Sequence, residues 1–177
     1  MKKLITFLLM FTMISAITAS AVEASQDKPE VTVEVIAGTP SEADIANIEF
    51  DDGTKVGDYD FEVTYVKKVT RDPAYISYYF NSAMWITRDG VVSLSLAPTD
   101  RVRKDSTLRE SGWNILKSSS TGLGGNANWP KTSAAQQCFY WQYLCHWQFA
   151  NAKDYWNIEP SRSASSYASV VAHGCNP

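Results

Sequence analysis

Apolar and polar positions alternate over residues 31–37 (VTVEVIA). This puts Val31, Val33 and Val35 on one face and predicts a short strand. The same two-residue period returns over 60–98. Phe61, Val63 and Tyr65 alternate with Glu62, Thr64 and Val66. Arg71-Asp72-Pro73 breaks the strand, because proline fixes φ and has no N–H to offer a ladder. Residues 75–80 predict a second strand, Asn81-Ser82 a short connector, 84–88 a third strand and 91–97 a fourth. Asp89-Gly90 marks a tight hairpin, since both residues tolerate positive φ. In the fourth strand Val92, Leu94 and Leu96 point one way and Ser93 and Ser95 the other, so one face is expected buried and one wet.

The period then changes. Leu108, Trp113 and Leu116 supply the apolar side of a shorter helix over 105–117, capped by Asp105 or Ser106. Residues 118–130 (SSSTGLGGNANWP) predict a flexible loop. It is not a phosphate loop, because no lysine and hydroxyl residue follow its last glycine. A long helix is predicted over 136–160. Thr132 and Ser133 offer caps, and Ser133 with Gln136 has capping-box spacing. At about 100° per residue, Cys138, Trp141, Cys145, Phe149, Ala152 and Trp156 share one stripe, the expected core face. Phe139, Tyr140, Tyr143 and Trp147 project away from it, and Gln142, His146 and Lys153 form a narrow polar strip. A helix apolar nearly all round is usually covered on two sides, here by the sheet and by the C-terminal tail. The alternative leaves Tyr140, Tyr143 and Trp147 as an exposed patch for a ligand or partner. The tail beyond Pro160 reads as irregular or a short strand. Together these elements predict an α+β domain: an antiparallel meander of about four strands packed on a long C-terminal helix, plus one shorter helix.

Residues 1–24 have the layout of a secretory signal peptide: Lys2 and Lys3, an apolar run over 4–19, and small residues around Ala24. The run is too short and too rich in Ser and Thr to span a membrane. The chain is therefore expected to be secreted, extracellular or periplasmic. Removing residues 1–24 shifts the formal charge from −3 to −4. A mildly acidic chain is a poor match for nucleic acid or an anionic membrane. Residues 25–59 read as a linker or pro-segment with one possible short strand, and 60–177 as the secreted domain. Asp51, Asp52, Asp58 and Asp60 lack the ligand spacing of a calcium loop and read as a solvated acidic stretch.

The cysteines stand at Cys138, Cys145 and Cys175. In an exported chain they are disulfide material first. Seven residues of helix separate Cys138 from Cys145 by about 10 Å, too far for a bridge. Cys175 can pair with either, leaving the other free. A zinc site built from these thiols with His146 and His173 lacks the usual paired-ligand spacing, so no metal is expected. A Cys–His nucleophile pair needs hydrogen-bond reach, and Cys138 and His146 point apart on the helical wheel.

Several stretches carry a resemblance: FEVTYVKKVTRD, MWITRDGVVSLSLAPT, a tryptophan helix, QYLCHWQFANAKDYWNIEPSR and a terminal CNP. In this order they resemble a family of small secreted bacterial proteins known only as a domain of unknown function. The resemblance covers 60–177, and its specific parts are the WITRDG–SLSL hairpin and the CH…WNIEP…CNP ending. It implies a Cys145–Cys175 disulfide, with Cys138 as an addition. It implies export and a fold, and no named activity.

No spacing picks out a nucleophile with its base or a facing carboxylate pair. The function expected is a non-enzymatic exported module that binds an envelope component, a carbohydrate or a protein partner, without a cofactor. Tyr140, Tyr143, Trp147 and His146 are its candidate binding residues. A small envelope-directed hydrolase using some of Asp89, Glu110, Asp154 and Glu159, or a secreted antagonist or toxin, are the alternatives. The sequence sets no oligomeric state.

Overall fold

A computed structural model of the chain describes residues 30–66, 74–119 and 123–177. The expected signal peptide and the Arg71-Asp72-Pro73 turn lie outside the described residues.

The fold is α+β, built on a five-stranded mixed sheet in the order β2-β1-β3-β4-β5. Its strands are β1 (Glu30–Ala37), β2 (Asp60–Tyr65), β3 (Phe80–Arg88), β4 (Val91–Pro98) and β5 (Trp156–Ile158). The helices are α1 (Glu42–Ala46), α2 (Ala74–Tyr79), α3 (Asp100–Lys104), α4 (Ser106–Lys117), α5 (Ser133–Phe149) and α6 (Tyr167–Ala172).

The predicted meander is only partly present. The hairpin of β3 and β4 forms as expected, turning at Asp89 and Gly90 with φ of 51° and 78°. β2 and β3 are not neighbours, because β1 lies between them, parallel to β2 and antiparallel to β3. The segment expected as a linker or pro-segment thus supplies an interior strand of the sheet. A parallel pair needs a long crossover, and residues 38–59 provide it through α1. The strand expected over 75–80 is instead α2. Ile76 and Phe80 are buried while Tyr78 is exposed, a four-residue repeat and not a two-residue one. Gly112 of α4 lets α2 approach closely: a Cβ there would lie 3.3 Å from Tyr79 and Phe80.

Alternation in the strands sorts side chains to two cores. Ala83, Trp85, Leu94, Leu96, Trp156 and Ile158 face α4 and α5. Val31, Val33 and Val35, with Met84 and Ile86, face Ile45, Ile48, Phe50 and Val56. Ser93, Ser95 and Asn157 share this second face and are buried. The serine side of β4, expected wet, is therefore covered.

Helix α5 sits between two layers, but rotated from the expected setting. Phe139 and Tyr143 face the sheet. Phe139 stacks on Trp85 at 6.4 Å between centroids, and Tyr143 meets Phe80 and Trp156 edge-on. The stripe of Cys138 and Cys145 turns instead to α6, where Val170 and Cys175 close a small cluster. Phe149, expected in the core, is 60% exposed. Thr132 is the N-cap, its Oγ1 accepting from the Ala135 N–H at 3.2 Å. Gln136 donates to the Pro130 carbonyl, so no capping box forms with Ser133.

The helix ends at Phe149 and not near 160, with no glycine or proline to stop it. Arg103 gathers carbonyls beyond that end: it donates to Asn151, to Lys153 at 2.8 Å and to Asp154 at 3.2 Å. Asn151 in turn donates to the carbonyls of Arg103 and Trp147. The chain then reverses, and Trp156, placed on the helix stripe by its spacing, lies in β5 opposite Leu96 of β4. The tail forms α6, capped by Ser166 and closed by Gly174 and Cys175 at positive φ.

Candidate functional site

Two helices and a loop make a groove on the α4–α5 side. Glu110, Asn114 and Lys117 follow one another along α4 at helical spacing, so they present one face. Ser133, Gln136, Gln137 and Tyr140 present the first turns of α5 to it. Trp113 and Trp129 form its floor, with ring centroids 5.6 Å apart, and Trp113 lies 5.3 Å from Tyr140. Both indoles are nearly buried, so they offer the groove edges and partial faces. The groove encloses about 500 Å³. Within the stretch predicted flexible over 118–130, Leu123 is fully buried and belongs to the same core cluster as Trp129. A Cβ at Gly124 would lie 1.9 Å from the Lys117 carbonyl, so only glycine permits this approach to α4.

The polar groups of the groove are organised around Glu110. Its Oε1 accepts from the Tyr140 hydroxyl at 2.7 Å and from Arg109 Nη2 at 2.6 Å. Burial and the bond to Glu110 push Tyr140 up to about 12, so its phenol remains a donor at neutral pH. All of these bonds fall on Oε1, and Oε2 has no hydrogen-bond partner among the described residues.

Of the four candidate binding residues, Tyr140 alone lines this groove. Tyr143 is fully buried and donates to the Arg109 carbonyl at 3.0 Å, so the proposed exposed patch cannot include it. Trp147 is half-buried; its Nε1 donates to the Val102 carbonyl at 2.8 Å, and Arg109 lies 4.4 Å over its ring. It acts as a strut between α3 and α5. His146 is buried on another side of the helix, 3% exposed. Glu110 was named only as a carboxylate of the hydrolase alternative, and Trp113, Trp129 and Gln136 were not named as site residues. The signal available was the i, i+3 placing of Glu110 and Trp113 on a predicted amphipathic helix.

Cys145 and Cys175 form a disulfide with Cα atoms 5.4 Å apart, and Cys138 is a buried free thiol. Burial raises the Cys138 thiol above its ordinary value and disfavours the thiolate a nucleophile needs. Among the described residues no group of three His, Cys, Asp or Glu side chains is placed to hold a metal ion. None of the described helices is long and apolar enough to cross a membrane.

Uncharacterized proteins of Mycobacterium bovis and of Mycobacterium tuberculosis are each 42% identical to the chain over 40 residues. The shared stretch is 20% of this chain and 27% of each relative, so the chain spans about a quarter of the curated relatives it matches. No solved structure matches the chain. A family described as "Protein of unknown function (DUF2599)" matches residues 80–177, from the start of β3 to the last residue, and the chain belongs to this family.

Proposed function

We propose that the domain is an exported, non-enzymatic binding module that takes a hydroxyl-rich ligand, a carbohydrate of the cell envelope, in the groove between α4 and α5. The observation that carries this reading is the composition of the groove wall. Aromatic edges from Trp113, Trp129 and Tyr140 adjoin the amides of Asn114, Gln136 and Gln137 and the carboxylate of Glu110. Sugars present apolar C–H faces beside paired hydroxyls, and aromatic rings next to amide and carboxylate groups complement both. The volume falls in the usual range for small-ligand sites, about 300–1,000 Å³. Glu110 is the one carboxylate among the described residues of the wall, whereas glycoside hydrolysis uses two. That favours retention of the ligand over its cleavage. The apolar run over 4–19 and the disulfide support export.

The test is a tryptophan-fluorescence titration of the mature protein with soluble cell-wall glycan fragments. Saturable quenching is expected, weakened at least tenfold by Glu110→Gln and by Gln136→Ala. Gln148→Ala, on an exposed part of α5, should leave it unchanged. Absence of saturable binding, or equal binding by all variants, would refute the reading. Release of new soluble fragments from purified cell wall would replace it with a hydrolase.

A further inference from the structure

A second, smaller pocket lies across the molecule where the C-terminal part of the chain meets residues 47–51. It encloses about 250 Å³. His146 forms its inner wall, and Glu49, Asp51, Asp154, Tyr155 and Asn157 are among the residues around it. The stretches that carried the resemblance converge here. His146 comes from the CH pair and Asn157 from WNIEP. Asn176, from CNP, donates to Asp51 Oδ2 at 2.6 Å and to the Asn157 carbonyl at 3.1 Å. Asn157 Nδ2 donates to the Glu49 carbonyl at 2.7 Å. The Asp51 carboxylate and the Glu49 backbone are thus tied to the C-terminal part of the chain beside the histidine.

His146 is more than nine-tenths buried, and burial holds its imidazole below the ordinary value. It is therefore neutral at pH 7. Its Nδ1 lies 2.9 Å from the Gln142 carbonyl, which can only accept, so Nδ1 carries the proton. Nε2 is left with a lone pair and no hydrogen-bond partner among the described residues. The Glu49 carboxylate likewise has no hydrogen-bond or salt-bridge partner among the described residues. Three carboxylates surround the pocket against one lysine, Lys153. Acceptors and net negative charge together call for a cationic donor.

We propose that this pocket binds a primary ammonium group, which donates one hydrogen bond to His146 Nε2 and is held electrostatically by Glu49, Asp51 and Asp154. An ammonium offers three donors and no acceptor, matching a wall of acceptors better than a hydroxyl does. The pocket shares Asn47, Glu49, Ala152, Asp154 and Tyr155 with a larger adjoining groove of about 1110 Å³. The amine can therefore be the end of a longer molecule that continues into that groove. This site is separate from the aromatic groove and does not depend on it.

The probe is ethanolamine, with ethylene glycol as its uncharged counterpart, titrated into ¹⁵N-labelled protein. The chain has two histidines, so His173, which is exposed, serves as the internal control. Ethanolamine is expected to shift the His146 ring nitrogens saturably and to leave those of His173 in place. Ethylene glycol should bind at least tenfold more weakly. Glu49→Gln, at a side chain that makes no structural bond among the described residues, should weaken ethanolamine at least tenfold. Equal shifts at both histidines without saturation, equal binding of ethylene glycol, or an unchanged affinity in Glu49→Gln would each overturn the proposal.

Discussion

Gln142 is fully buried in α5, and its side chain does the work of a neighbouring strand. Nε2 donates to the Glu159 carbonyl at 2.9 Å, and Oε1 accepts from the Glu159 N–H at 2.8 Å. Glu159 directly follows β5 and is only 8% exposed, so water is poorly placed to replace either bond. Replacing Gln142 with leucine keeps the side chain's size and removes both partners. Each orphaned backbone group costs about 1–3 kcal/mol, and the added apolar burial returns part of that. The expected net loss is about 2–4 kcal/mol, a large share of a typical stability of roughly 5–15 kcal/mol.

Urea unfolding followed by tryptophan fluorescence measures this directly. With a mid-range urea slope of about 2 kcal/mol per molar, the midpoint should fall by about 1–2 M. Gln137→Leu, an exposed position on the same helix, should stay within about 0.5 kcal/mol of the parent. Amide hydrogen exchange adds a local reading, because the Glu159 amide should lose protection in Gln142→Leu. A midpoint within about 0.3 M of the parent would refute the reasoning, since that is a loss of less than about 1 kcal/mol. So would a loss of stability with Glu159 protection unchanged.

Two further outcomes follow from the buried sulfur and nitrogen. Reducing Cys145–Cys175, which closes a separation of 30 residues, should lower stability by about 3–4 kcal/mol in the chain-entropy model. Comparing oxidised and reduced parent protein in urea tests this without changing any side-chain volume, and equal midpoints would count against it. His146 has its folded value depressed by burial, so below about 6.5 the unfolded chain binds the extra proton first. Its contribution is intact above that pH and is lost as the pH falls toward the depressed folded value. Replacing His146 with glutamine should flatten the slope of stability as the pH falls below about 6.5 relative to the parent; identical slopes would exclude the assignment.

Most strands were legible in the sequence because their faces differ. Val31, Val33 and Val35 alternate cleanly with Thr32 and Glu34, and they are buried as that alternation demands. The order of strands was not legible, since alternation says which face is buried and nothing about which strand is the neighbour. Residues 75–80 failed for a different reason: five of the six are large or apolar, so two-residue and four-residue periods fit alike. The end of α5 was hidden because its stop signal is tertiary. Arg103, some 48 residues earlier, draws the carbonyl of Asn151 out of the helix. The rotation of α5 was hidden by composition. With apolar residues nearly all round, the stripe that faces the sheet and the stripe that faces α6 look alike. Of the aromatic groove, Tyr140 was found because it is on α5, and Trp113 and Trp129 were missed because their meeting depends on the loop between two helices.

The match to residues 80–177 begins at the first residue of β3, yet the structure does not divide there. β3 is the central strand, paired with β4 on one side and with β1 on the other. Without β1 it would become an edge, with an open row of N–H and C=O groups and with Met84 and Ile86 stripped of their valine neighbours. The same dependence recurs at the far end of the sheet. Asn157 needs the Glu49 carbonyl, and Asn176 reaches Asp51, so the WNIEP and CNP stretches make hydrogen bonds to residues from outside the matched region. Residues 30–59 are therefore part of the folded unit in this chain, and the second pocket exists because of them. The matched region supplies the histidine, while the segment before it supplies two of the three carboxylates. Any selectivity for charge at that pocket is then a property of this chain's N-terminal segment as much as of the family domain it completes.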